Sequence, residues 1–362
     1  MKVGVLGAGQ LGRMLALAGY PLGLRFRFLD PNPASPAAAL GEFIAADYDD
    51  PDALRRFADG LDVATYEFEN VPASVADYLA GHVPAVHPHY RALAVAQDRL
   101  SEKQTFRRLG IATAPFAAVD SEADLARGVE ELGLPAVLKT RRLGYDGKGQ
   151  FVLRDAGDVG RAWAALGGAP LILEGFVAFE RELSILAARG RDGDVAFYPL
   201  VENHHREGIL RRSIAPAPGV APGLQARAEA IARAVLEEFD YVGVLAIELF
   251  QCGDELLANE MAPRVHNSGH WTIEGAETSQ FENHLRAICG LPLGPTTARG
   301  HAGMLNLIGT APTREAVLAI EGAHLHLYDK SPRPGRKLGH VTVLSGGPEL
   351  VARRLEELER LV

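Results

Sequence analysis

Two glutamates, Glu248 in AIELF and Glu260 in LLANEM, sit in apolar runs separated by a short polar loop. If Gly253–Glu255 is a three-residue loop, Cys252 pairs with Leu256 and Glu248 with Glu260, and the two carboxylates face each other across a hairpin. Like charges opposed in an apolar sheet are unfavourable unless a cation lies between them. Hard oxygen ligands, with Asn259 beside them, suit magnesium carrying nucleotide phosphates; the competing reading is a solvent-facing pair of acids. A second feature is KTRRLGYDGKGQ, in which Lys139 ends a strand and Gly144, Gly147 and Gly149 flank Lys148. Glycines let backbone N–H groups approach phosphate oxygens closely, and the lysines add charge. It is not a Walker loop, because Gly149 rather than Ser or Thr follows Lys148, and a flexible surface hairpin explains the residues equally well.

RVHNSGH, Arg264 to His270, follows the acid hairpin and brings polar groups beside the expected metal. His266 and His270 are not in an HExxH arrangement, so substrate contact is preferred to zinc, with a structural loop as the alternative. HHREGILRRS supplies His204, His205, Arg206, Arg211 and Arg212, and DKSPRPGRKLGH supplies Lys330, Arg333, Arg336, Lys337 and His340. In a chain of net charge −9 the second cluster reads as a phosphate clamp, against the ordinary alternative of a solvated charge run. At the N-terminus GAGQLG, Gly7 to Gly12, follows an apolar run, and Asp30 ends the next one. That is the dinucleotide fingerprint, and it raises the option of a nicotinamide or flavin oxidoreductase. Nothing after residue 100 offers a hydride-transfer site.

Residues 1 to about 95 alternate strand patterns (MKVGVLG, LRFRFLD, EFIAADY, VATYEF, VPAVHP) with helices at Leu11–Ala18, Pro51–Phe57 and Ser74–Leu79, predicting a parallel α/β domain. The helix DRLSEKQTFRRLG follows, and antiparallel hairpins with a few helices then make an α+β region. The last segment carries GMLNLIG, HLHLYDK and GHVTVLSG as strands and ends in a helix. The 362 residues contain 47% hydrophobic and 23% charged residues, ordinary for a globular protein of several domains. Two cysteines, no signal peptide and no long apolar span point to a reduced, cytoplasmic setting without membrane insertion. The acidic balance argues against nucleic-acid binding.

Together these residues resemble the ATP-grasp superfamily. Within it, GQLGRM, GYDGKGQ, ILRRS, APRVHNSGHWT and YDKSPRPGRKLGH, in family order from residue 9 to 340, resemble the 5-(carboxyamino)imidazole ribonucleotide synthase family. Leu143 stands where that family often has glycine. The resemblance implies a Rossmann-like pre-ATP-grasp domain (1–100), an ATP-grasp domain with a glycine-rich lid hairpin (101–293) and a small C-terminal domain (294–362). It implies ATP and Mg2+ as cofactors, with Glu248 and Glu260 on the metal. Arg99 and Lys139 would touch ATP phosphates, Gly144, Tyr145, Asp146, Gly147, Lys148, Gly149 and Gln150 would cover them, and Glu174, Gly175, Phe176 and Val177 would hold the adenine. Glu182, His205, Asn259 and Glu260 would be further nucleotide contacts. Gln10, Glu67, Tyr145, Asp146, Arg264, His266, Asn267, Lys330, Arg336 and Lys337 would line the site for 5-aminoimidazole ribonucleotide and bicarbonate.

The implied reaction of purine biosynthesis is carboxylation of the ribonucleotide amine through carboxyphosphate. Asp146 would be its base or orient the amine, Arg264 and His266 would hold the carboxylate, and the enzyme would be a homodimer. A formate-using glycinamide ribonucleotide transformylase is the alternative within the superfamily, and a nucleotide-binding regulator without turnover is the alternative outside catalysis. With ATP at the glycine hairpin, GAGQLG is left to face the ribonucleotide and Asp30 becomes a strand-end acid.

Overall fold

The computed structural model describes residues 1–144 and 149–362. The first segment runs β1 (Lys2–Leu6), α1 (Gln10–Gly19), β2 (Arg25–Asp30), β3 (Glu42–Ala45), α2 (Pro51–Ala58), β4 (Val63–Tyr66) and α3 (Ala73–Ala80). Its strands form a parallel sheet in the order β3–β2–β1–β4, so the turn after β1 and the turn after β4 emerge at the same edge. VPAVHP, expected as a fifth strand, makes a single bridge between Ala64 and Val86. Pro84 and Pro88 remove backbone donors on either side of it, which prevents a ladder.

Two helices lead out of this sheet, α4 (Tyr90–Ala96) and α5 (Arg99–Arg108). The Asp98 carboxylate caps α5 by accepting from the N–H groups of Leu100 and Ser101, and Gly110 at φ +72° ends it. Then β5 (Phe116–Val119), α6 (Glu122–Leu132), β6 (Ala136–Thr140), β7 (Gln150–Leu153), α7 (Asp158–Leu166) and β8 (Leu171–Gly175) build a small antiparallel sheet ordered β5–β8–β6–β7. Leu125 and Ala162 of its helices pack on Leu138, Leu153 and Leu173.

The rest of the chain is organised by one large antiparallel sheet. It contains β9 (Arg181–Arg189), β10 (Val195–Phe197), β11 (Val201–Arg206) and β12 (Ile209–Ala215), then, after α8 (Leu224–Glu238), β13 (Gly243–Cys252) and β14 (Glu255–Ala262). Helices α9 (Thr272–Gly275) and α10 (Gln280–Cys289) precede β15 (His301–Ile308), α11 (Arg314–Leu318), β16 (Ala323–Leu327), β17 (Lys337–Ser345) and α12 (Pro348–Glu359). The order is β14–β13–β9–β11–β12–β15–β17–β16, with β10 on β9. Residues beyond 294 therefore contribute β15–β17 to the same sheet that carries the acid hairpin. Helix α10 ties this sheet to the parallel one. His284 Nε2 lies 2.9 Å from Thr65 Oγ1 on β4, and the Val244 N–H of β13 donates to His284 Nδ1 at 3.1 Å. Among the described residues no helix is long and apolar enough to cross a membrane.

Candidate active site

A cavity of about 670 Å³ opens where the three sheets meet, and the acid hairpin lines it. Glu248 lies opposite Glu260, but not by the route expected. The turn has two residues, Gly253 (φ +60°) and Asp254, so Cys252 faces Glu255 rather than Leu256. A β-bulge at Asn259 absorbs the difference and returns the two acids to register. Burial pushes the Glu248 carboxyl up to about 7, and the Glu260 charge adds to it. Desolvation raises Glu260 as well, yet Arg99, whose Nη1 is 3.0 Å from Glu260 Oε2, keeps it below the usual carboxylate range. Sequence reasoning missed a third acid, Glu102 of α5, raised to about 8 by burial and by Glu260 while accepting from the Met261 N–H at 2.7 Å. Its one signal was the charged face Arg99, Glu102, Lys103 at helical spacing.

The small sheet and α5 bring the cations. Lys139 Nζ lies 3.0 Å from Glu174 Oε2, and the buried Lys103, also missed, lies 3.6 Å from the same oxygen. Burial opposes the Glu174 charge, but the two lysines outweigh it and hold the carboxyl at about 2. Expected at the adenine, Glu174 thus has its side chain committed to lysines. Gly175 and Phe176 donate their N–H groups to the carbonyls of Pro115 and Pro135 at 2.8 and 3.1 Å. Glu174, Gly175, Phe176 and Val177 are all absent from the cavity wall; Gly144 and Gln150 are on it, while Gly149, at φ +70°, is not. Leu143 also lines it, at φ +61°, the left-handed conformation for which glycine is suited. His205 pairs with Glu182 on the wall, next to the stacked rings of Phe179 and Phe250, 4.6 Å apart. Tyr145, Asp146, Gly147 and Lys148 lie outside the described residues.

Facing these groups across the cavity are Gln10, Glu67, Arg264, His266, Asn267 and Lys337. The segment from Arg264 to His270 is an irregular turn with a short 3-10 helix at Asn267–Gly269, so the two histidines are not stacked on a helix face. Arg264 pairs with Glu69; burial opposes that carboxylate, but the guanidinium holds it at about 2. Burial, with Arg264 beside it, lowers His266 to about 3, and its Nε2 sits 3.6 Å from Glu248 Oε1. Of the supposed phosphate clamp only Lys337 reaches the wall. Lys330 donates to Gln10 Oε1 from behind it, and Arg336 folds onto Ser331 Oγ at 3.0 Å.

The glycine turn after β1 is filled from within. Glu67, at the end of β4, accepts from the N–H groups of Gly9 at 2.5 Å and Gly12 at 2.7 Å. Asp30 accepts from the Ala8 N–H at 2.9 Å. A Cβ on Gly9 would stand 2.4 Å from Glu67 Oε1, and one on Gly7 2.3 Å from Glu67 Cγ. Those glycines make room for a carboxylate of the chain itself. The dinucleotide expectation loses its anion pocket, because the Glu67 carboxyl already occupies it.

Three family models match in chain order: the ribonucleotide synthetase preATP-grasp domain over residues 1–97, the ATP-grasp domain over 104–281 and the phosphoribosylaminoimidazole carboxylase C-terminal domain over 302–354. The chain is 55% identical over 362 residues to N5-carboxyaminoimidazole ribonucleotide synthase of Pseudomonas aeruginosa, covering 100% of this chain and 99% of the relative. It superposes on the crystal structure of N5-carboxyaminoimidazole ribonucleotide synthetase from Thermus thermophilus with a TM-score of 0.96, 59% identity and coverage of 99% and 98%. It is also similar to the enzyme of Aspergillus clavatus crystallised with ADP and 5-aminoimidazole ribonucleotide, with a TM-score of 0.91, 33% identity and coverage of 99% and 98%. The chain belongs to the N5-carboxyaminoimidazole ribonucleotide synthase family of ATP-grasp ligases.

Proposed function

We propose that this chain carboxylates the exocyclic amine of 5-aminoimidazole ribonucleotide with bicarbonate, at the expense of ATP. The observation that carries the reading is one cavity with two chemically different walls. Arg99, Lys139 and the stacked Phe179–Phe250 pair suit a nucleotide on one side, and Gln10, Glu67, Arg264, His266, Asn267 and Lys337 suit a polar anionic substrate on the other. Glu248, Asn259 and Glu260 would hold magnesium. The donor set is hard oxygen, and a carboxyl raised to about 7 beside a second acid marks a pair short of positive charge. Bound there, the metal would supply charge to the ATP phosphates.

In the first step a bicarbonate oxygen forms a bond to the γ-phosphorus as its bond to the β-γ bridging oxygen breaks, giving carboxyphosphate and ADP. Arg99 and Lys139 stand where they can offset charge on the transferred phosphoryl. In the second step the amine nitrogen bonds to the carboxyl carbon, phosphate leaves and the amine loses a proton. Arg264 and His266 orient the carboxylate. Asp146, outside the described residues, would serve as the base or orient the amine. The Glu174 carboxylate, 3.0 Å from Lys139 Nζ, would orient that lysine toward the phosphates. A cytoplasmic homodimer completes the reading; both cysteines are free, and sedimentation tests the dimer.

The experiment is ADP release measured with each substrate withheld in turn. Release that needs ATP–Mg2+, bicarbonate and the ribonucleotide together is expected. Turnover without bicarbonate, or with formate in its place, would sink the assignment.

A further inference from the structure

The turn that carries Arg264, His266 and Asn267 lies beyond the end of β14, and its shape is set by two side-chain amides from elsewhere in the chain. Gln280, the first residue of α10, is fully buried. Its Oε1 accepts from the His266 N–H at 2.9 Å, and its Nε2 donates to the His266 carbonyl at 2.6 Å. One side chain thus satisfies both main-chain polar groups of His266, as a neighbouring strand would. Gly269 makes the approach possible, since a Cβ there would stand 2.5 Å from Gln280 Oε1. Thr272 Oγ1 fixes the other end, accepting from the Gln280 N–H at 2.9 Å and donating to the Gly269 carbonyl at 2.6 Å.

The next residue is held in the same manner from the far side. Asn306 of β15, also buried, exchanges two hydrogen bonds with Asn267: its Nδ2 donates to Asn267 Oδ1 at 2.6 Å, and Asn267 Nδ2 donates back at 3.1 Å. Asn306 Nδ2 is anchored in turn by the Leu210 carbonyl at 2.9 Å. Neither Gln280 nor Asn306 lines the cavity.

We infer that Gln280 and Asn306 are positioning residues for the ribonucleotide side of the site, acting through His266 and Asn267 and leaving the nucleotide wall untouched. The inference rests on the reading of the cavity given above, in that it assigns His266 and Asn267 to the ribonucleotide. Each amide removes the freedom of one residue in a turn that has no ladder of its own, so the two act on one geometry from two elements.

The test compares Gln280→Leu, Gln280→Glu, Asn306→Leu and the double Leu variant in the full-length enzyme, with melting temperatures recorded for each. Gln280→Leu is expected to lower kcat/KM for the ribonucleotide by roughly 10- to 100-fold while KM for ATP stays within about twofold. Gln280→Glu, which keeps the acceptor for the His266 N–H, should lose less. Asn306→Leu should act in the same direction, and the double variant should lose less than the product of the single losses. Equal shifts in the ATP and ribonucleotide parameters, or multiplicative losses, overturn the inference. A readout independent of turnover is the ring resonances of the histidines in the ligand-free enzyme. Gln280→Leu should move those of His266 and leave those of His205 in place; unmoved His266 resonances overturn the positioning role whatever reaction is catalysed. A wild-type enzyme that releases ADP without the ribonucleotide overturns the functional reading instead.

Discussion

Two glycine-rich turns in this chain carry the same local signal and opposite outcomes. The turn Gly7–Gly12 follows a parallel strand and opens α1, and its N–H groups are taken by Glu67 and Asp30. At the flanks of the hairpin between β6 and β7, Gly144 and Gln150 face the open cavity, with Lys139 and Arg99 nearby. A glycine run reports that backbone amides can be approached closely. Which anion approaches is decided by what else the fold brings there. At the first turn it is a carboxyl group of the chain itself; at the second, the described flanks Gly144 and Gln150 line the cavity.

The comparison breaks most readily at Lys139. Replacing it by Met should cut ADP release by about 10³-fold, a loss typical of a cation on a transferred phosphoryl, with little change in melting temperature because Lys103 remains beside Glu174. If nucleotide instead used the N-terminal turn, activity would survive the change. The second test empties that turn. Glu67→Ala leaves the N–H groups of Gly9 and Gly12 without their acceptor and should cost about 2 kcal/mol of stability, read by denaturant unfolding. ATP–Mg2+ should still raise the melting temperature and NAD should not; stabilisation by NAD would restore the dinucleotide reading.

The smallest effect concerns the seam between the two regions. Burial, with a small push from His87, lowers His284 to about 3, and the neutral ring accepts from Val244 and donates to Thr65. A pKa depressed on folding gives stability that is complete above the unfolded value near 6.5 and is lost as pH falls toward 3. Between pH 7 and 5.5 the loss should be roughly 1 kcal/mol. Unfolding of wild type and His284→Gln at the two pH values checks it, and parallel pH slopes would count against the pin.

How much could be read beforehand differs from residue to residue. The Glu248–Glu260 pair was legible because alternating apolar runs around a short loop have few registers, even though the loop was one residue shorter than expected and a bulge at Asn259 made up the difference. The partners of Glu174 were not legible, because its sequence neighbourhood shows a buried strand and nothing of Lys103, 71 positions earlier, or Lys139 across the sheet. Lys330, Arg336 and Lys337 were grouped by charge density, and only the path of their loop shows that Lys337 lines the cavity, Lys330 donates to the lining residue Gln10 and Arg336 folds onto Ser331. Leu143 is the converse case: a departure visible in the sequence whose cost, a left-handed backbone at φ +61°, is visible only in the structure.

By itself the sequence determined what short-range physics controls: the alternation of strands and helices, the helix that became α5, the glycine turns and the acid hairpin. These depend on residues within a few positions of one another, where period and steric freedom leave a readable pattern. Tertiary structure alone decided which anion fills the turn at Gly9, which acid holds Lys139, and that Gln280 and Asn306 brace the His266 turn. Each of those partnerships joins groups 14 to 58 positions apart. Over such separations a hydrogen bond is selected by the packing of whole elements, and no local pattern records it.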